Sequence, residues 1–167
     1  IYDTVAGSIK SGGTTRRAAK MVLLNADHPE IEAFIRRKAN EEKKFAALVS
    51  AGLVDRYNVE SAGEHVFGQN SNNSVRVTDD FMRAVIEDKD WNLTWRTDGK
   101  VAKTVKARHL WDTIAQAAWE CADPGLQFDT TYNDWHTSPA TGRINATNPC
   151  SEFAYLDNSA CNLASLN

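Results

Sequence analysis

With 167 residues, of which 42% are hydrophobic and 25% charged, the chain is long enough to bury one core and too apolar to be intrinsically disordered. Its net charge of −3 excludes bulk nucleic-acid or anionic-membrane binding. No apolar run approaches the roughly 20 residues that span a bilayer.

In chain order, Ile1 to Lys10 predicts the tail of a helix that breaks at Ser11-Gly12-Gly13. Thr14-Thr15-Arg16-Arg17 follow, and no Gly-Lys-Ser/Thr ending makes this a P-loop; it reads as a turn with solvated arginines. Ala18 to Leu24 predicts a buried strand. Asp27-His28-Pro29 predicts a helix start, with Asp27 as N-cap and an apolar face of Ile31, Phe34 and Ile35. A second helical stretch, Asn40 to Ala51, stops at Gly52. Asp55 to Ser74 is polar and weakly periodic, so it reads as the longest irregular segment. Its core, Gly68-Gln69-Asn70-Ser71-Asn72-Asn73-Ser74, suits either nucleobase recognition or an ordinary polar turn.

Val75 and Val77 predict a brief strand. Thr78 then caps a helix with Asp79 and Asp80 in its first turn. Trp91 to Val105 predicts a β-hairpin turning at Asp98-Gly99. Ala107 to Cys121 is the clearest amphipathic helix, with Ala107, Leu110, Trp111, Ile114, Ala118 and Cys121 on one side. Leu126 to Phe128 reads as a short strand, followed by a loop through Trp135, His136 and Pro139. Ile144 to Leu156 holds Asn148-Pro149-Cys150-Ser151-Glu152. Strands alternating with helices predict an α/β architecture, with too few strands for a closed sheet.

The chemistry concentrates in that last stretch. If it is extended, Asn148, Cys150 and Glu152 share one face. A carboxylate two residues from a thiol disfavours the thiolate and suits hydrogen-atom transfer better than nucleophilic attack. Cys161 is either a packed thiol or a second redox thiol, and Cys121, on an apolar helix face, reads as core. His28, His65, His109 and His136 are scattered and no C-x-x-C exists, so no metal site is expected. Three unevenly spaced cysteines do not make a secreted disulfide framework, which points to a reducing, cytoplasmic setting. A chain beginning with Ile and stopping at Asn167 reads as an internal piece of a longer protein.

Taken together, Ser11 to Met21, Asp27 to Ile31, Gly68 to Val77, Ile144 to Glu152 and Ala160 to Asn167 resemble the catalytic subunit of ribonucleotide reductase, most closely its adenosylcobalamin-dependent, class II branch. The resemblance implies that residues 1–167 are a fragment of one catalytic domain, a ten-stranded α/β barrel. It implies that Cys150 becomes the transient thiyl radical and abstracts the 3′ hydrogen of a ribonucleotide. Glu152 would take the 3′-hydroxyl proton, and Asn148 would bond the substrate hydroxyls, with Pro149 and Ser151 completing the substrate contact. Cys161 would be one of two reducing thiols, its partner lying upstream of Ile1. Gly68, Gln69, Asn70, Ser71, Asn72 and Asn73 would belong to or adjoin the loop that carries allosteric specificity. Implied partners are deoxynucleotide or ATP effectors, an external dithiol reductant such as thioredoxin, and a second copy of the full-length chain. The competing readings are an iron- or manganese-dependent large subunit and a non-catalytic nucleotide-binding module.

Overall fold

The computed structural model describes residues 1–11, 16–55, 66–161, 164 and 166. Helix α1 (Tyr2–Ser8) leads to a short antiparallel pair, β1 (Lys10–Ser11) with β2 (Arg16–Arg17). Strand β3 (Lys20–Asn25) runs into α2 (Ile31–Ser50). Strand β4 (Ser71–Val77) is followed by α3 (Asp79–Ile86), and β5 (Asp90–Thr94) pairs with β6 (Val101–Lys106). Helix α4 (Ala107–Cys121), β7 (Gly125–Phe128), α5 (Asp129–Asp134), β8 (Ile144–Thr147) and β9 (Ala154–Leu156) complete the order.

The α/β class holds. Its centre is a parallel sheet of order β3-β4-β7. That sheet is open, and the remaining described strands form two-stranded antiparallel pairs, so the described residues do not close a barrel. β4 is buried along nearly its whole length, as expected for a central parallel strand covered on both faces. Its alternation divides the molecule. Val75 and Val77 face a core built with Ile31 and Ile35 of α2, Phe81 of α3, and Leu110 and Ile114 of α4. Each such fully buried side chain contributes about 1.5–3 kcal/mol. Arg76 faces the other way. Gly125 lets β7 approach β4 closely, since a Cβ there would stand 2.9 Å from Ser74 Oγ.

Several expectations change. Asp27 is not an N-cap: α2 starts after Glu30 without a side-chain cap, and the Asp27 carboxylate accepts from Arg96 Nη1 at 3.0 Å instead. The two expected helical stretches are one helix of 20 residues, because Arg36 to Lys38 keep strong helix formers between the apolar turns. The first strand is Lys20–Asn25 and only half-buried, being the outer strand of the sheet. Of the expected irregular segment, residues 56–65 lie outside the described residues, and Ser71–Ser74 are strand, not loop. The expected loop after β7 opens with α5. Thr78 does cap its helix, accepting from the Phe81 amide at 3.3 Å, and Gly99, at φ +69, turns the expected hairpin. Gly52, at φ +70, follows the C-terminus of α2.

Candidate active site

β8 and β9 form a hairpin whose pairing is Ile144 with Leu156, Ala146 with Tyr155 and Thr147 with Ala154. One residue, Asn145, is extra on the β8 side. This bulge lets Ile144 and Thr147 both be buried although they stand three apart. Asn145 itself is exposed and donates to Asp157 at 2.9 Å.

Residues 148–153 form the hairpin's turn. The Asn148 amide donates to the Phe153 carbonyl at 3.1 Å, and the Phe153 amide donates to Asn148 Oδ1 at 3.0 Å. The Ser151 amide donates to the Asn148 carbonyl at 2.9 Å, closing a tight turn with Ser151 at φ +66. This corrects the extended reading: Pro149 and the left-handed Ser151 bend the chain, so a period of two cannot place Asn148, Cys150 and Glu152 on one face. Cys150 and Glu152 are both exposed at the tip of the turn, while Asn148, Pro149 and Ser151 are half-buried at its base. Asn148 spends its carbonyl oxygen on the turn, leaving its Nδ2 as the end available to a ligand.

The hairpin is fastened to the sheet by side chains the sequence did not advertise. The Ile144 amide donates to Asn133 Oδ1 at 3.0 Å and the Ile144 carbonyl accepts from Asn133 Nδ2 at 3.2 Å, so α5 pairs with β8 as a strand would. The Arg76 guanidinium reaches both the Asp129 carboxylate and the Ile144 carbonyl, and Arg143 pairs with the same carboxylate. Gln127 Nε2 donates to Thr147 Oγ1 at 2.7 Å and to Ser151 Oγ at 3.3 Å. Arg76 and Gln127 are register partners on β4 and β7, side by side on the sheet face away from the helices. Arg76, Asp129 and Arg143 also border a cleft of about 360 Å³ with Asn25, Asp27 and Asn145. That cleft lies at the carboxyl ends of the parallel strands, where open α/β sheets bind ligands.

The other predicted residues lie elsewhere. Gly68 to Asn70 fold against α1, where the Asp3 carboxylate accepts from the Gly68 and Asn70 amides, each at 3.1 Å. Ser71, Asn72 and Asn73 begin β4, at the strand end opposite Arg76; Asn73 is buried and donates through its Nδ2 to Asp123 at 3.2 Å. Beyond the segment itself, the side-chain hydrogen bonds of these residues run to Asp3 and Asp123. Cys161 is exposed. Cys121 packs against the core, and burial pushes its thiol above the ordinary value. Among the described residues, no three His, Cys, Asp or Glu side chains gather to hold a metal, and no helix is long and apolar enough to cross a membrane.

The model of the ribonucleotide reductase barrel domain matches residues 1–167. The chain belongs to that family. A vitamin B12-dependent ribonucleotide reductase of Streptomyces avermitilis is 54% identical over 99% of the chain and 17% of its own length. One of Agrobacterium fabrum is 46% identical over 100% of the chain and 18% of its own length. A vitamin B12-dependent ribonucleoside-diphosphate reductase of Thermoplasma acidophilum is 36% identical over 100% of the chain and 19% of its own length. The chain therefore spans under a fifth of these relatives. As part of a ribonucleotide reductase barrel domain, the described residues contribute three parallel strands, helices α2, α3 and α4 covering one face, and a hairpin fastened to the other.

Proposed function

We propose that the protein containing this chain reduces ribonucleotides to 2′-deoxyribonucleotides with a thiyl radical on Cys150, in a vitamin B12-dependent manner. The observation that carries this is the turn itself: a thiol and a carboxylate exposed at the tip of a pinned hairpin, in a family whose similar members are named for this reaction. The residues that would hold adenosylcobalamin lie mostly outside this span, and Cys150, exposed at the tip, would be the group on which its chemistry acts. That cofactor, when bound, supplies the homolysis that begins the radical chemistry.

The chain's residues then divide the work. The Cys150 thiyl takes the 3′ hydrogen atom and becomes a thiol. Glu152 takes the 3′-hydroxyl proton as the ketyl forms, which lowers the barrier to losing the 2′-hydroxyl. That hydroxyl leaves as water after gaining a proton from a reducing thiol pair. The pair, Cys161 and a partner outside this chain, gives its second hydrogen to C2′, two electrons in all, and ends as a disulfide, while Glu152 returns the proton to the 3′ oxygen. Cys150 finally returns its hydrogen atom to C3′ and regains the thiyl state. Asn148 Nδ2 and the Pro149–Ser151 backbone hold the sugar.

The same reading extends to the whole protein. Residues 1–167 are a portion of one catalytic barrel, and Gly68 to Asn73 adjoin the path of the allosteric specificity signal. Deoxynucleotide or ATP effectors, a thioredoxin-like dithiol, a homodimer and a cytoplasmic setting go with it.

The test uses the full-length parent protein, a ribonucleotide, a dithiol and adenosylcobalamin. Turnover in the wild type and its loss by at least about a thousandfold in Cys150→Ser is the expected outcome. Turnover only when a metal-containing partner protein is supplied would move the assignment to an iron- or manganese-dependent reductase. Nucleotide binding without turnover under either condition would leave a binding module.

A further inference from the structure

The carboxamide of Gln127 is used at one end only. Gln127 is 1% exposed, on the sheet face that carries the cysteine hairpin. Its Nε2 reaches Thr147 and Ser151, whereas its Oε1 is buried without a hydrogen-bond partner. The amide's orientation follows from the hydroxyl beside it. The Thr147 proton goes to the Asn148 carbonyl at 2.9 Å, so Thr147 Oγ1 accepts from Gln127 and the NH₂ end must face it.

A buried oxygen left without a donor is a net cost to the folded state. A leucine would fill similar space without that cost. What the amide adds is a pair of donors aimed at the two sides of the cysteine: Thr147, three residues before it, and Ser151, one after. Ser151 is also the residue in the left-handed conformation, which is unfavourable for a residue with a Cβ and so calls for an outside hold. Gln127 applies that hold from a strand of the central sheet, a rigid element against which a turn can be set.

We propose that Gln127 is the positioning residue of the cysteine turn, fixing through Thr147 and Ser151 where the Cys150 thiol stands. This deepens the radical-reductase reading and rests on it. Gln127 acts through the turn, not on the substrate.

The experiment compares wild type, Gln127→Leu and Gln127→Glu in the full-length parent. In Gln127→Leu, kcat falls about 10- to 100-fold while KM for the ribonucleotide stays within about threefold, as expected when reacting atoms are displaced but binding is kept. Its melting temperature is unchanged or raised. In Gln127→Glu, a neutral carboxylic acid still has one O–H to give Thr147, and an ionised one has none. Burial raises the introduced carboxyl's pKa. Activity relative to wild type is therefore retained at the acid end of the profile and lost as pH rises through that raised value, a recovery the leucine variant lacks. A second readout needs no turnover: the rate at which iodoacetamide modifies Cys150, followed by peptide mass spectrometry, shifts several-fold in Gln127→Leu while that of Cys121 does not. Wild-type kcat in the leucine variant, a fall in kcat tracked by a fall in melting temperature, or an unmoved Cys150 alkylation rate overturns the proposal. If the wild type fails to reduce ribonucleotides, the reductase reading falls, and the alkylation comparison still decides the role of Gln127.

Discussion

At the scale of single residues, the thiols differ in what surrounds them. Cys150 is exposed at a turn tip of this chain, whereas Cys121 lies 3.4 and 3.3 Å from the Ala117 and Asp123 carbonyls and packs against the core. Burial, and then the charges of Asp123 and Glu42, push the Cys121 thiol up, against the opposing pull of the Asp123 backbone contact. Its neutral form is the one the fold favours. Stability from this thiol is complete below the ordinary thiol range and falls as pH rises through the raised folded value. The expected consequence at pH 8 is that iodoacetamide modifies Cys150 at least about tenfold faster than Cys121 in the native full-length parent. Equal rates would show that Cys121 is open to solvent. Cys150 was legible in the sequence because a thiol, an amide and a carboxylate stand within five residues. Gln127, Arg76 and Asp129 were not, because each acts on partners at least 14 residues away and is locally an ordinary polar residue.

Among the elements, β4 teaches why polar runs mislead. Ser-Asn-Asn-Ser looks like loop, yet it begins the central strand, because its polar side chains find partners inside: Ser71 on Asn73, Asn73 on Asp123, Arg76 on Asp129. Periodicity sees hydrophobicity and not satisfaction, whereas Ala107–Cys121, with its apolar stripe, was found to the residue. The Arg76–Asp129 pair also fastens β8, and its two partners differ in exposure from the third member, Arg143. Asp129→Asn leaves the buried Arg76 cation uncompensated and is expected to cost about 3–5 kcal/mol. Arg143→Ala removes a cation whose side chain is 57% exposed and is expected to cost under about 1 kcal/mol. Urea unfolding of the full-length parent measures both, and equal costs would mean that Asp129 serves the two arginines alike.

For the molecule as a whole, the accessible surface is 11317 Å². A compact monomer of 18.5 kDa would have about 8,200 Å². Part of the excess is apolar: Trp119 and Trp135 are each 83% exposed, and the outer edges of β3 and β7 pair with no described strand. Exposed edges and rings favour association over independent folding. Expressed alone, the 167-residue chain is expected to melt broadly, bind an apolar dye and self-associate. A sharp cooperative melt of a dye-free monomer would show that it folds by itself. The α/β class was readable from alternating patterns. The openness of the sheet is a matter of which strands lie beside which, and pairing between distant segments leaves little trace in local pattern.

The bulge at Asn145 sets the phase of everything beyond it. Remove one residue between Ile144 and Thr147 and the strand returns to plain alternation, so that the cysteine turn arrives rotated half a revolution about the strand, its hydroxyls turned from Gln127. The bulge position is therefore tolerant of composition, and the stretch intolerant of a change in length. An exposed Asn145 can be exchanged for other polar residues with little consequence, while the loss or gain of a single codon beside it disables the turn without altering any of the residues that form it.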